Sequence, residues 1–412
     1  MKVMLLTNCY PPEIGAAANQ LYELARELSG RGHRVTVVTR FPRHIPKELM
    51  PEKTGKLVYR ETSDGIKIMR INIPLLPRSF PLLREIEHVL NILMLWGTAL
   101  FAERTDVTLV YSPPIVVGYA AVFLRIFKGS RVVFNVQDIF PQSMIDLGLL
   151  NNRALIAVSR YLEKLIYKKV DHITVHSRGN EELVVETSRS PAKVSIVPNW
   201  VDSKFIVPLE DDNGFRREFG LCGKFVVSFA GCMSDAQDMD IILESAEMLK
   251  ERDDILFLLA GNGPNYEAVK EKAGEFENVK VIPIQPRHRY VHLLAASDVS
   301  VVTLNKRVDT PVVPSKILSI MSSGTPLLAS LPKVSDGVAI IEEAECGICV
   351  EAGNSQAFRQ AILKLYESPE LCAQFGRNGR DYAVKNYSLE ACVDLYVDVF
   401  NKVINKNAQA IY

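Results

Sequence analysis

Short runs rich in β-branched residues alternate with amphipathic helical patterns along this chain, and the alternation is played twice. KVMLLT (2–7) reads as a strand, and NQLYELARELSGRGH then sets Leu21, Leu24, Ala25 and Leu28 on one helical face with Glu23, Arg26 and Glu27 on the other, Gly30 or Gly32 ending the helix. RVTVVT (34–39), VTLVY (107–111), RVVFNV (131–136), HITVH (172–176) and VSIVP (194–198) continue the first series. A second series opens near residue 224 with KFVVSFAG, MDIILESAEMLKER and DILFLLAGNG, followed by VKVIPI, DVSVVTL and TPLLAS. Strands this apolar, separated by helices, belong in a parallel sheet covered on both faces. With 412 residues the chain is too long for one core. The prediction is an α/β fold of two tandem doubly wound, Rossmann-like domains, spanning 1–201 and 202–387, with ligand in the interdomain cleft at the carboxyl ends of the strands. The polar, weakly patterned stretch 202–220 reads as a linker. The helical pattern at 388–406 is long enough to reach back onto the first domain.

Net charge is zero overall, yet residues 1–200 carry 26 Lys/Arg against 18 Asp/Glu, while residues 201–412 carry 22 against 30. A basic first half suits an anionic partner such as a phosphate-bearing lipid or a membrane surface; two solvated faces of opposite sign are the alternative. No basic run interleaved with aromatics points to nucleic acid. Seven scattered cysteines suit buried thiols in a reducing, cytoplasmic compartment. Cys346 and Cys349 form a lone C-x-x-C, better read as strand residues than as a metal or redox pair. MKVMLLTN is a strand rather than a leader. VLNILMLWGTALFA (89–102) falls short of a bilayer span, so it is a core helix or one that beds into a membrane interface, where Arg78 and Arg84 would suit the second reading.

Three stretches carry chemistry. In CYPPEIGAAANQ the small residues from Gly15 and Ala16 onward would let backbone N–H groups approach an anion at a helix start, although neither G-x-G-x-x-G nor G-K-[ST] is present. In GCMSDAQD (231–238) the pair Asp238 and Asp240 mimics a D-x-D metal motif, but at a helix start these carboxylates read as a cap and dipole partner. In VPSKILSIMSSGTPLLAS, Ser315 stands near an N-cap and Lys316 in the first turn, where a cation opposes the helix dipole unless an anion compensates.

PPEIGAAANQLYELARELSGRGHRVTVVT, FNVQDIFPQSM, VPNWVD, FAGCMSDAQDMDIILESAEML, LAGNGP and VPSKILSIMSSGTPLLAS stand in the order seen in family 4 of the retaining GT-B glycosyltransferases. The chain resembles most the branch that adds amino or deoxy sugars, fucosamine among them, in surface-polysaccharide assembly. The resemblance implies a nucleotide-diphosphate sugar, UDP-linked in the simplest case, as donor, a lipid-linked or glycan acceptor, and no metal or other cofactor. It also implies peripheral contact with the inner face of the cell membrane. Asp138 in VQDIFP matches the acidic position that faces the reacting sugar; Gln137 stands where the family often has His, and Glu13 lies with it on the acceptor side. Gly15, Ala16, Gly231, Gln237, Ser315, Lys316 and Ser319 fall at donor-binding positions, and the base would be read by backbone near Ile284 and Gln285. The family's E-x7-E pair is absent: Pro311 and Ser319 occupy its places. A hydroxyl at 319 bonds ribose without charge assistance, at about 1–2 kcal/mol less.

Two other readings compete. A sugar-nucleotide epimerase would need paired acid–base groups, for which Asp138, Glu13 and His176 are the candidates. A non-catalytic nucleotide-sugar-binding subunit would explain the missing Glu pair and the lack of Lys or Arg between 225 and 249.

Overall fold

The computed structural model describes every residue except 14–15, 43–55, 73–80, 113–114, 116, 147, 149, 210–213 and 406–412. The chain divides into two compact units. The first comprises residues 1–145, 150–199 and 389–412; the second comprises 146–149 and 200–388.

Unit 1 runs β1 (Lys2–Leu6), α1 (Ala16–Gly30), β2 (Arg34–Arg40), β3 (Val58–Ser63), β4 (Ile66–Ile71), α2 (Pro81–Phe101), β5 (Val107–Ser112), α3 (Val117–Lys128) and β6 (Arg131–Val136). It continues through α4 (Gln142–Asp146), α5 (Arg153–Lys169), β7 (His172–Val175), α6 (Arg178–Ser188) and β8 (Val194–Ile196). Its eight strands are ordered β3-β4-β2-β1-β5-β6-β7-β8. All pair in parallel except β3, which hairpins back antiparallel on β4. The central strand β5 is buried at every position, as a sheet covered on both faces requires. Strand order reverses between β1 and β5, the switch point where loops diverge and leave a crevice.

Unit 2 holds α7 (Phe215–Glu218), β9 (Phe225–Cys232), α8 (Asp240–Met248), β10 (Ile255–Asn262), α9 (Tyr266–Ala273), β11 (Val279–Pro283), α10 (Arg287–Ala295) and β12 (Val299–Thr303). After these come α11 (Lys316–Ser322), β13 (Leu327–Leu331), α12 (Asp336–Ala344), β14 (Gly347–Glu351), α13 (Ser355–Tyr366) and α14 (Pro369–Tyr387). Six parallel strands are ordered β11-β10-β9-β12-β13-β14, with the reversal between β9 and β12. Cys346 immediately precedes this last strand and Cys349 lies within it, both thiols free, and burial pushes them up to about 12 and about 11.

The linker reading of 202–220 needs correction. Ile206 is buried in the core of unit 2, and Phe215, the first residue of α7, packs with Leu221 against Val226 and Leu258. Two well-spaced apolar residues, Ile206 and Phe215, anchor a stretch whose average composition looks like tether.

The last helix, α15 (Leu389–Asn405), belongs to unit 1. It packs on α1 and β6, and Arg31 of α1 pairs with its Asp394. Helix α2 carries a buried stripe of Asn91, Leu95, Thr98 and Ala99, while Leu90, Leu93 and Phe101 on its other side stay exposed. Among the described residues no helix is long and apolar enough to cross a membrane.

Candidate active site

The carboxyl end of β9 and the segment after β12 meet at the switch point of unit 2, and Lys316 lies there. Its ammonium donates to Gln237 Oε1 at 3.1 Å and sits 4.0 Å from the centroid of the Phe229 ring. Lys316 retains some contact with water, but protein surrounds it closely enough that desolvation pushes its pKa down to about 8, the Cys232 thiol opposing the shift in small part. Among the described residues no carboxylate pairs with it. A desolvated cation held by a neutral amide and an aromatic face has charge left for an anion.

Gly231 makes this packing possible. Its φ of 150° lies in the region that favours glycine, and a Cβ there would fall 2.3 Å from Lys316 Cε. Gly261, on neighbouring β10, is tight for a related reason: a Cβ would fall 2.3 Å from the Gly231 carbonyl oxygen. The two glycines let the strand ends approach while the lysine crosses them.

Gln237 is fixed by its backbone, whose N–H donates to Ser234 O at 2.9 Å. Asp238 Oδ1 accepts from Ile241 N at 3.2 Å at the entry to α8, and Asp240 pairs with Lys272 at 2.7 Å. A cavity of about 730 Å³ opens beside them, with Gln237, Asn265 and Lys306 in its wall. Among the described residues no three His, Cys, Asp or Glu side chains are grouped to hold a metal. Ser315 takes the N-cap position of α11, but its side chain makes no cap bond. One turn beyond Lys316, Ser319 Oγ donates to Lys316 O at 2.9 Å and lies 2.8 Å from Tyr290 Oη of α10. Ile284 is half exposed, and Gln285 Nε2 donates to Pro283 O.

In unit 1 the residues singled out from the sequence gather at the carboxyl edge of the sheet. Asp138 follows β6 with its side chain open to water, yet the surrounding wall is dense enough that desolvation raises its carboxyl pKa. Gln137 points both ends of its amide into a relay: Asn199 Nδ2 donates to it at 2.8 Å, and it donates to Asn135 Oδ1 at 2.8 Å. Asn135 in turn donates to Thr174 Oγ1 at 3.1 Å and to Tyr396 Oη at 2.9 Å. Gln137 thereby braces the turn that presents Asp138. Glu13 is tied to Arg40 at 3.6 Å, and His176 to Asn180 Nδ2 at 2.8 Å. Gly15 lies outside the described residues; Ala16 is the first residue of α1, and its side chain lies outside them too.

Sequence reasoning passed over Arg40, Arg70 and Tyr290. Arg40 ends β2, and Arg70 stands one residue before the end of β4. Arg70 is 3% exposed, bound to Glu61 at 2.8 Å and to Pro11 O at 2.6 Å. A cation ending an apolar strand was the available signal. Tyr290 offered none, since its role depends on a contact 29 residues away.

Residues 214–382 match the family described as Glycosyl transferases group 1, and residues 15–200 match that described as Glycosyl transferase 4-like domain. The "Probable glycosyltransferase WbjE" of Pseudomonas aeruginosa is 28% identical over 294 residues, 70% of this chain and 72% of that protein. The "Putative colanic acid biosynthesis glycosyl transferase WcaI" of Escherichia coli is 22% identical over 388 residues, 88% of this chain and 92% of its own length. Among solved structures, Anabaena Alr3699/HepE in complex with UDP superposes with a TM-score of 0.71 at 16% identity, covering 98% of this chain and 100% of that one.

Proposed function

Because this chain is a glycosyltransferase of the GT-B fold, we propose that it transfers a sugar from a nucleotide diphosphate, with UDP the first choice, to a lipid-linked or glycan acceptor in surface-polysaccharide assembly. Lys316 carries this reading. A desolvated ammonium at the switch point of unit 2, without a carboxylate partner among the described residues, is suited to a diphosphate. The UDP in the Anabaena structure and the printed roles of the bacterial relatives support the same choice.

In this reading the work is done by positioning and by charge. Lys316 neutralises the diphosphate as the glycosidic bond breaks, and Gln237 holds the ammonium in place. Asp138, braced by Gln137, faces the reacting sugar; its raised pKa makes the carboxylate a more avid partner for a developing positive charge. Retention of configuration and independence of metal are part of the proposal, as are donor contacts by Gly231, Ser315 and Ser319, with Gly15 and Ala16 beside the donor. Membrane contact on the cytoplasmic side would bring the enzyme to a lipid-linked acceptor. An epimerase suits the site less well, since Glu13 is bridged to Arg40 and His176 is bonded to Asn180, leaving Asp138 without a catalytic second.

Calorimetric titration of the chain with UDP, GDP and ADP in EDTA tests the reading. Saturable binding of one diphosphate, with hydrolysis or transfer of its sugar conjugate, is the expected result. No binding of any diphosphate, with or without added magnesium, would remove it.

A further inference from the structure

Where the loop from Asn8 to Glu13 leaves β1, each of its first four carbonyls has a partner. Cys9 O accepts from Thr7 Oγ1 at 3.1 Å, and Tyr10 O from Glu13 N at 3.2 Å. The other two are taken by arginines of neighbouring strands. Asn8 O accepts from Arg40 Nε at 3.1 Å, and Pro11 O from Arg70 Nη2 at 2.6 Å. A loop containing Pro11 and Pro12 has few N–H groups of its own to offer, so these carbonyls need donors from outside it.

The two arginines reach the loop from opposite sides. The register of β2 on β4 sets Thr39 beside Arg70 and Arg40 beside Ile71, so Arg40 and Arg70 leave opposite faces of the sheet. On one face the Arg70 guanidinium lies 5.9 Å from the centroid of the Tyr10 ring, which meets Tyr22 of α1 edge-on at 6.2 Å. On the other, Ile71 packs with Leu95 of α2, and Asn91 of that helix donates to Asn8 Oδ1 at 3.0 Å. Each arginine is also tied to one carboxylate, Arg40 to Glu13 at 3.6 Å and Arg70 to Glu61 at 2.8 Å.

For stability alone Arg70 is a poor choice. It is 3% exposed, and its Nη1 has no partner among the described residues, so an apolar side chain of similar length would avoid a desolvation cost. What its other bonds achieve is the placing of the loop. That loop leaves β1 where strand order reverses, so it forms one flank of the crevice in unit 1, and it carries Glu13.

We propose that Arg40 and Arg70 are positioning residues for transfer: gripping the loop from both faces of the sheet, they hold this flank in the shape that receives the acceptor. Each acts through a loop carbonyl rather than by touching substrate. The proposal rests on the transfer reading.

Arg40→Lys and Arg70→Lys test it, because an ammonium keeps the charge but loses the planar fork that spans a carbonyl and a carboxylate. Turnover of a UDP-hexose is followed with a polyprenyl-diphosphate-linked sugar in detergent as acceptor. Each variant should lower kcat/KM for the acceptor about tenfold or more and leave UDP affinity within about twofold. Because both residues act on one loop, the double variant should lose less than the product of the two single losses. Hydrogen exchange in the peptide over residues 8–13 should quicken in each. Arg131→Lys, which disturbs the ion pair with Asp171 at the amino end of β6, should lower stability and leave turnover and loop exchange intact. Arg40, at 17% exposure, carries the test where Arg70→Lys fails to fold. Unchanged turnover and loop exchange in both variants would overturn the proposal. So would losses no greater than that of Arg131→Lys at equal loss of stability, or strictly independent effects in the double variant. A chain that binds no UDP or transfers nothing counts against the transfer reading alone, and exchange in the loop still decides the grip.

Discussion

Tyr290 Oη lies 2.8 Å from Ser319 Oγ, and Ser319 spends its one hydrogen on the Lys316 carbonyl at 2.9 Å. Tyr290 must therefore donate to Ser319, which leaves lone pairs on the phenol oxygen as acceptors. A nucleoside hydroxyl donating to Tyr290 would lengthen a chain of bonds whose direction is already set. Tyr290→Phe should weaken UDP and uridine alike, by roughly fivefold, the loss of one neutral hydrogen bond. Parallel titrations check this, and unchanged affinity for both ligands would place the nucleoside elsewhere.

Lys316 should behave in the opposite way. Lys316→Met keeps the length of the side chain and removes the desolvated charge, so UDP affinity should fall by about 10–100-fold while uridine is bound nearly as before. The same change should raise thermal stability at neutral pH by something on the order of 1–3 kcal/mol, since folding no longer strips water from an ammonium. A variant that lost both ligands equally would show that the lysine is structural.

The depressed pKa of Lys316 sets a pH window. Between about 8 and the ordinary lysine value of 10.5 the unfolded chain holds a proton that the folded one has released, so the contribution of this residue to stability rises with pH there. Diphosphate binding should move the other way, weakening as pH climbs above about 8, and should take up protons in that range. Calorimetry in two buffers of different ionisation enthalpy reads the uptake directly. Affinity that stays flat from neutral pH to the ordinary lysine range would contradict a charged contact.

Gly231→Ala places a methyl group where the Lys316 stem runs and forces alanine to a φ of 150°. We expect about 1–3 kcal/mol lower stability from the strained backbone. UDP affinity should fall with it as the ammonium is displaced, whereas Gly220→Ala, at a φ of 65° with open space around it, should leave UDP binding intact.

Asp138→Asn separates catalysis from stability in unit 1. Desolvation by the dense wall around Asp138 raises the carboxyl pKa, so the ionised group costs stability above its folded pKa, and that cost disappears as the pH falls below the unfolded value. The amide should thus leave the melting temperature unchanged or higher at neutral pH, with the gain vanishing in acid. Transfer should drop by about a hundredfold or more if the carboxylate faces the reacting sugar. Full transfer activity would reassign it.

The two sheets were readable in the sequence because their strands are continuous apolar runs, and such runs leave a trace in every residue. VTLVY and DVSVVTL need no long-range information to be recognised as buried strands. The β3–β4 hairpin was missed: VYRETS is polar and edge-placed, with three of its six residues exposed. Residues 202–220 were misread because Ile206 and Phe215 reach core that the chain builds only later. Around the site, Gly231 and Lys316 carried local signals, a glycine ending a strand and a cation opening a helix. Their contact, and the Tyr290–Ser319 bond, join residues 85 and 29 positions apart in the chain and follow from strand order alone.

The return of α15 to unit 1 has a bearing on how the molecule is made. Tyr396 supplies the hydroxyl beneath Asn135, and thus beneath the turn that carries Asp138. A nascent chain emerging from the ribosome amino end first can complete most of unit 2 before that hydroxyl exists. The Asp138 turn must wait for a segment translated after unit 2. Premature termination after residue 388 would leave unit 2 whole and the β6 end unbraced, a product able to take up donor with an unfinished Asp138 turn.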